Sequence, residues 1–150
     1  MEQVYGKTPR SLIFDGKHAE AFSMVTKAEL REGVPYLDGV AVQVINPDRD
    51  WVKVEFTNEK GRDGWCSRSA APKTALLFPR GYVVVPTVEL MRYAQARVME
   101  VGDIHVTRTN SVAFETGRHR MFGKPGKKDA YTIIHKTELA ELEYAFYKVV

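Results

Sequence analysis

The clearest periodicity in this chain is a two-residue one. Val40, Val42 and Val44 alternate with Ala41 and Gln43, and Trp51, Lys53 and Glu55 alternate with Val52, Val54 and Phe56. Successive side chains of a strand point to opposite faces, so each run reads as a strand, the second one half-buried. Asn46-Pro47-Asp48 and Asn58-Glu59-Lys60-Gly61 supply the turns, because proline presets φ while Asn, Asp and Gly tolerate turn geometry. Gly64-Trp65-Cys66 begins a third short strand, and Ser67 to Ala71 read as one 3₁₀ turn ended by Pro72. Three short strands with tight turns predict a meander that curls into a small barrel.

On either side the pattern changes. Ser11 to Phe14 reads as a strand with Asp15-Gly16 as its turn, and Ala19, Phe22, Met24 and Val25 approximate a helical stripe within residues 17–31. Further on, Gly81 to Val85 is a strand, and Pro86-Thr87 opens a helix with Glu89 in its first turn. Leu90, Tyr93, Ala94, Arg97 and Val98 keep helical spacing until Gly102-Asp103. Ile104, Val106 and Arg108 begin a strand, Thr109-Asn110 is a hairpin turn, and Val112 to Phe122 returns as its partner, interrupted by Gly117. Residues 123–128 are loop, Tyr131 to Ile134 is a strand, and Thr137 caps a last helix striped by Leu139, Leu142, Ala145 and Phe146. Tyr82–Val85 before Glu89-Leu90 is echoed by Tyr131–Ile134 before Glu138-Leu139, either as a repeat of two strand-to-helix units sharing one sheet or as a coincidence, since strand-to-helix joints converge on such residues. The expected fold class is α+β. A β-rich barrel-like region, 1–72, packs on an α+β region, 73–150, of order strand–helix–strand–strand–strand–helix, as two halves or one compact domain.

Charge sharpens this picture. The chain carries a net charge of +3, but residues 1–72 hold a net of −1, 73–104 of +1, 105–136 of +5 and 137–150 of −2. The positive stretch consists of Arg108, Arg118, Arg120, Lys124, Lys127, Lys128 and Lys136 against Glu115 and Asp129. Such an excess attracts phosphate-rich partners over about a Debye length, roughly 10 Å; its plainer reading is a solvated hairpin. Cys66 is the only cysteine, so no internal disulfide forms and no Cys-based zinc site is built. No apolar run is long enough to span a bilayer, and the first residues lack a basic start followed by an apolar stretch. The expected setting is cytoplasmic, away from membranes.

Gly39-Val40-Ala41-Val42, Asp50-Trp51-Val52-Lys53-Val54 and Gly61-Arg62-Asp63-Gly64-Trp65-Cys66 carry a resemblance. Residues 38–70 resemble bacterial SH3-type modules, which show a Trp-x-Lys-Val strand and a later Gly-Trp strand. The early strand of that pattern is missing, and its terminal Tyr-Leu pair is Ala70-Ala71 here. The resemblance implies an SH3-like β-barrel that binds rather than catalyses. Trp51 and Trp65 would then lie on neighbouring strands, as core packing or with one as a stacking platform.

Catalytic patterns are thin. The histidines His18, His105, His119 and His135 lack i, i+4 spacing, so no metal is implied, and no cofactor motif is present. If their strands adjoin, His105, His119 and His135 beside Arg and Lys supply acid–base and charge-stabilising groups of a metal-independent ribonuclease, with Tyr131 assisting. Asp103 and Glu115 match part of a metal-dependent nuclease pattern, but Gly117 stands where its lysine belongs. Cys66 after Trp65 reads as a buried small apolar group. Gly123 to Lys128 lacks the spacing of a phosphate-binding loop, and Pro125 removes a backbone donor.

The expectation is a non-enzymatic accessory or regulatory binding protein, of the kind phages and mobile elements encode. Arg108, Arg118, Arg120, Lys124, Lys127 and Lys128, with Trp51 and Trp65, would contact nucleic acid or an acidic protein surface. The alternatives are a small nuclease of RNA or DNA using His105, His119 and Glu115, and an inhibitor of one host protein. The sequence does not set the oligomeric state.

Overall fold

A computed structural model of the chain describes residues 16–47, 50–102, 106–108 and 118–149. Helix α1 (Gly16–Thr26) leads into β1 (Glu29–Arg31), β2 (Val34–Leu37) and β3 (Val40–Ile45). Two reversals join these strands. Glu32-Gly33 (φ 51° and 83°) and Asp38-Gly39 (φ 52° and 77°) both place consecutive residues in the left-handed region. That is the turn geometry whose twist matches paired strands, and Asp-Gly is among its preferred sequences.

Then come β4 (Trp51–Thr57), β5 (Lys73–Phe78), β6 (Gly81–Pro86), α2 (Thr87–Val101), β7 (Thr107–Arg108), β8 (Phe122–Gly123), β9 (Ala130–His135), a 3₁₀ helix (Lys136–Glu141) and β10 (Ala145–Lys148). They form two sheets, β1-β2-β3-β5-β6-β10 and β4-β9-β8-β7. The first is antiparallel except where β3 runs parallel to β5, Val42 facing Lys73 and Ile45 facing Leu76. Both sheets take strands from either side of residue 72.

Strand alternation sorts the core. Val42, Val44, Ala75, Tyr82 and Val84 point to one face of the first sheet and meet Phe22 of α1, whose ring stands edge-on to Tyr82 at 4.9 Å. Ile45, Leu76, Phe78 and Val85 point to the other face. There they meet Leu90, Met91 and Ala94 of α2 and Val52, Val54 and Ile134 of the second sheet. Full burial of each such aliphatic side chain contributes about 1.5–3 kcal/mol. On that face one buried polar chain crosses the core. Gln43 Nε2 donates to the Trp65 carbonyl (2.7 Å) and to Thr74 Oγ1 (2.9 Å), and Thr74 Oγ1 lies 2.7 Å from Thr87 Oγ1.

The barrel expectation is not met: the three segments of 38–70 do not share one sheet, the last touching β4 through one isolated antiparallel bridge, Thr57 to Asp63, and the described strands close no barrel. Val40–Ile45 enters the first sheet and Trp51–Thr57 the second. Gly64-Trp65-Cys66 is not a strand but an irregular segment laid against β4. It is held by Gly64 N–H to the Phe56 carbonyl (2.8 Å) and Cys66 N–H to the Glu55 carbonyl (2.9 Å). The expected last helix is also corrected. Its stripe ends in a single 3₁₀ segment capped by His135, not Thr137, and Ala145–Lys148 becomes a strand. The open edge of β6 offers backbone partners there, and Tyr147 and Val149 join the α1 core, which outweighs local helix preference. Most of the hairpin expected over 104–122 lies outside the described residues; of its described parts, Thr107–Arg108 (β7) pairs parallel with Phe122–Gly123 (β8). The strands of the internal echo, β6 and β9, belong to different sheets. The strand expected at Ser11–Phe14 and the turn at Thr109-Asn110 lie outside the described residues. Helices α1 and α2 and strands β3, β4, β6 and β9 stand where the periodicity put them.

Gly64 sits so close to β4 that a Cβ would lie 2.4 Å from the Glu55 carbonyl oxygen, a backbone atom that cannot swing aside. Gly64→Ala is expected to destabilise the fold by about 1–3 kcal/mol. Urea unfolding monitored by tryptophan fluorescence checks it; an unshifted midpoint contradicts the close approach.

Candidate functional site

The basic stretch begins beside a buried carboxylate. Glu138, 7% exposed, stands third in the 3₁₀ helix after its cap His135. Its Oε2 accepts from the His135 backbone N–H (2.7 Å) and from Arg118 Nε (2.9 Å), and its Oε1 accepts from Tyr93 Oη (2.7 Å) and His119 Nε2 (2.6 Å). An ionised carboxylate only accepts, so His119 carries its proton on Nε2. Burial pushes the Glu138 carboxyl up, but these four hydrogen bonds outweigh it and hold the group below its ordinary range. The same contact and burial act on Tyr93 in one direction: burial first, then the bond to Glu138, push its phenol up to about 12.

The chain turns at this point. His119 adopts a left-handed φ of 67°, and its N–H donates to the Ile133 carbonyl (3.1 Å). Arg120 is exposed, and its carbonyl accepts from Thr132 Oγ1 (2.7 Å). After β8 the Gly/Lys loop is pinned at both ends. Lys124 N–H donates to Asp129 Oδ1 (2.9 Å), Lys124 Nζ to Glu59 Oε2 (2.5 Å), and Lys128 N–H to the Glu59 carbonyl (3.1 Å). The Glu59 contact raises the Lys124 ammonium pKa. The aliphatic stem of Lys128 lies over Gly61, where a Cβ would come within 3.1 Å of Lys128 Cδ. These contacts seat the loop on the 58–61 turn, itself closed by Gly61 N–H to the Asn58 carbonyl and by Asn58 Oδ1 accepting from Lys60 and Arg62 N–H. Lys60, Arg62, Lys127 and Lys128 are all exposed. On the neighbouring sheet face Lys53 Nζ stands 4.2 Å from the Tyr131 ring centre, and burial, then the nearby Lys124 charge, lowers its pKa.

Of the residues singled out in the sequence, Arg118, His119, Arg120, Lys124, Lys127 and Lys128 therefore lie in two anchored turns. Arg118 and Lys124 each engage a carboxylate. Arg108 contributes its backbone to β7, while its side chain, His105 and Glu115 lie outside the described residues. The two tryptophans do not sit on neighbouring strands. Trp65 is 5% exposed in the central core, so it is packing. Trp51 is half-buried on β4 and meets His135 edge-on at 4.8 Å beside Phe122, Tyr131 and Ile133. Cys66 is fully buried, and burial raises its thiol pKa, which suits packing rather than nucleophilic attack. Glu138, Tyr93, Glu59, Lys60 and Arg62 were missed. For Glu138 a signal existed: an acidic residue three positions after a capping side chain is the spacing of a capping box.

No group of three or more His, Cys, Asp or Glu is placed to hold a metal among the described residues, and none of their helices is long and apolar enough to cross a membrane. Comparison with protein-family models, curated proteins and solved structures finds no match.

Removing the hub leaves four part-buried donors without their acceptor. Glu138→Ala is expected to cost about 3 kcal/mol of unfolding free energy at neutral pH. Because the folded carboxyl titrates below its unfolded value of about 4.3, its stabilisation is present above that pH and lost as the pH falls through the folded value. Urea midpoints measured across this acidic window should fall more steeply for the wild type than for Glu138→Gln; parallel curves would contradict the hub.

Proposed function

We propose that this chain is a non-enzymatic binding protein that docks the phosphate backbone of a nucleic acid on the paired turns 58–62 and 123–128. The observation that carries this reading is the Lys128 N–H to Glu59 carbonyl bond, which brings Lys60 and Arg62 of one turn beside Lys127 and Lys128 of the other. Exposed cations on anchored backbone lose little conformational freedom on contact, and phosphate contacts position a partner without reading its sequence. The half-exposed Arg118 and Lys124 are held by Glu138 and Glu59, so their charges are partly compensated and they frame the surface rather than dominate it.

The test is a titration of single-stranded and duplex DNA and RNA at two salt concentrations. Affinity should fall as salt rises, with a logarithmic slope of about −0.7 to −0.9 per phosphate neutralised. Lys127→Glu combined with Lys128→Glu should weaken binding by about tenfold or more and flatten that slope, whereas Arg92→Glu on the exposed side of α2 should not. Absence of binding, or binding indifferent to salt, overturns the proposal; an acidic protein surface is then the partner to seek.

A small nuclease is a second reading with one observation in its favour: His119, its Nε2 proton fixed by Glu138, stands beside Arg118 and Tyr93. Against it, all four donors on Glu138 already serve a structural role: a cap, a turn and the tie to α2. Incubation with labelled RNA and DNA, with and without EDTA, separates the two readings. Cleavage that survives EDTA and disappears in His119→Ala would replace the binding proposal; none is expected.

A further inference from the structure

One edge of the six-stranded sheet, β10, carries a self-complementary strand. β10 pairs with β6 on one side and has no strand on the other among the described residues. In an antiparallel ladder a residue's N–H and C=O point to the same side, and consecutive residues alternate. Val149 N–H donates to the Arg80 carbonyl (3.0 Å), so residues 149, 147 and 145 bond inward to β6. Phe146, Lys148 and, by the same alternation, Tyr144 turn their backbone groups outward.

The side chains of those three residues share the sheet face opposite α1. Tyr147 and Val149 pack on the α1 side, while Phe146 reaches over Gly81, where a Cβ would lie 3.0 Å from its ring. Phe146 remains 49% and Tyr144 53% exposed, the two exposed large aromatic side chains among the described residues. An apolar edge of this kind is what folded proteins ordinarily cover or blunt.

We propose that β10 pairs antiparallel with β10 of a second copy of this chain, about a two-fold axis at Phe146. A two-fold axis perpendicular to a continuous sheet requires facing residues of equal parity, which restricts the register. Centring on Phe146 engages all three outward residues: Phe146 faces its own copy, and Tyr144 faces Lys148 of the partner on each side. That places an ammonium beside an aromatic ring twice and two phenyl rings together at the centre, both favourable cross-strand pairs. A register two residues toward the N-terminus would instead need Leu142, whose N–H is already donated to the Leu139 carbonyl (3.0 Å). The second copy therefore extends the six-stranded sheet into a twelve-stranded one.

Sedimentation of the full chain over a range of concentrations tests the state: a species of twice 17.0 kDa is expected. A chain that stays at one mass up to about 100 μM, weak for a specific interface, overturns the proposal. Phe146→Lys sets like charges face to face and should raise the dimer dissociation constant at least tenfold, with far-UV circular dichroism unchanged. Mild oxidation then reads the register. Phe146→Cys should cross-link to its own copy, because facing residues of a hydrogen-bonded pair lie about 5.5 Å apart at Cα, within disulfide reach. Tyr144→Cys should not. Cross-linking at 144 but not at 146, or at neither, overturns it; the buried Cys66 does not compete.

Discussion

The buried amide of Gln43 ties this molecule together. β3 ends in the first sheet, the chain leaves to build β4 in the second, and it returns beside β3 as β5, running parallel to it. A parallel return needs a long crossover, and here the crossover carries the Trp65 segment that fills the space between the sheets. Gln43 Nε2 binds that segment's backbone and Thr74 on the returning strand, and Thr74 passes the contact to Thr87 at the start of α2. A strand, a crossover, its return and a helix thus share one hydrogen-bonded chain inside an apolar core, where an unmade bond costs about 1–3 kcal/mol. Gln43 Oε1 has no partner among the described residues, so the network spends part of its gain on placing that amide.

The same logic recurs at Glu138. One carboxylate starts the 3₁₀ helix, accepts the Tyr93 phenol of α2 and anchors the turn that carries Arg118 and His119. Its position links α2, β9 and the basic stretch, so the surface charges rest on a packed interior rather than on a long side-chain reach. Glu59 does the corresponding work at the other end of the stretch, through its side chain to Lys124 and its carbonyl to Lys128. Two acidic residues outside the positive stretch thereby fix how it is presented, and the 58–62 turn lends it two further cations, Lys60 and Arg62.

Much of the framework was legible in the chain. Alternation at Val40–Val44 and Val52–Phe56 marked β3 and β4, and the Leu90/Ala94/Val98 stripe marked α2, because local periodicity reports which side of an element is buried. The Asp38-Gly39 signal for a β2–β3 reversal was present too and was not used. The burial of Cys66 followed from its apolar neighbourhood. The Trp65 segment did not read correctly: it has the composition of a strand, yet it meets the edge of β4 through one isolated bridge, Asp63 to Thr57, and irregular backbone bonds at Gly64 and Cys66.

By itself, then, the sequence determined an α+β class, most of the principal strands, both α-helices and the position of the excess charge, all properties of neighbouring residues. Tertiary structure decided which strands pair, since a strand's pattern names its buried face but not its partner. It turned the Ala145–Lys148 stripe from helix to strand, because the edge of β6 supplied hydrogen bonds that an isolated helix end lacks. It also decided which of the basic residues engage carboxylates and which face solvent, because Glu59 and Glu138 reach them from elsewhere, Glu59 from 65 residues earlier in the chain and Glu138 from across the β9 turn.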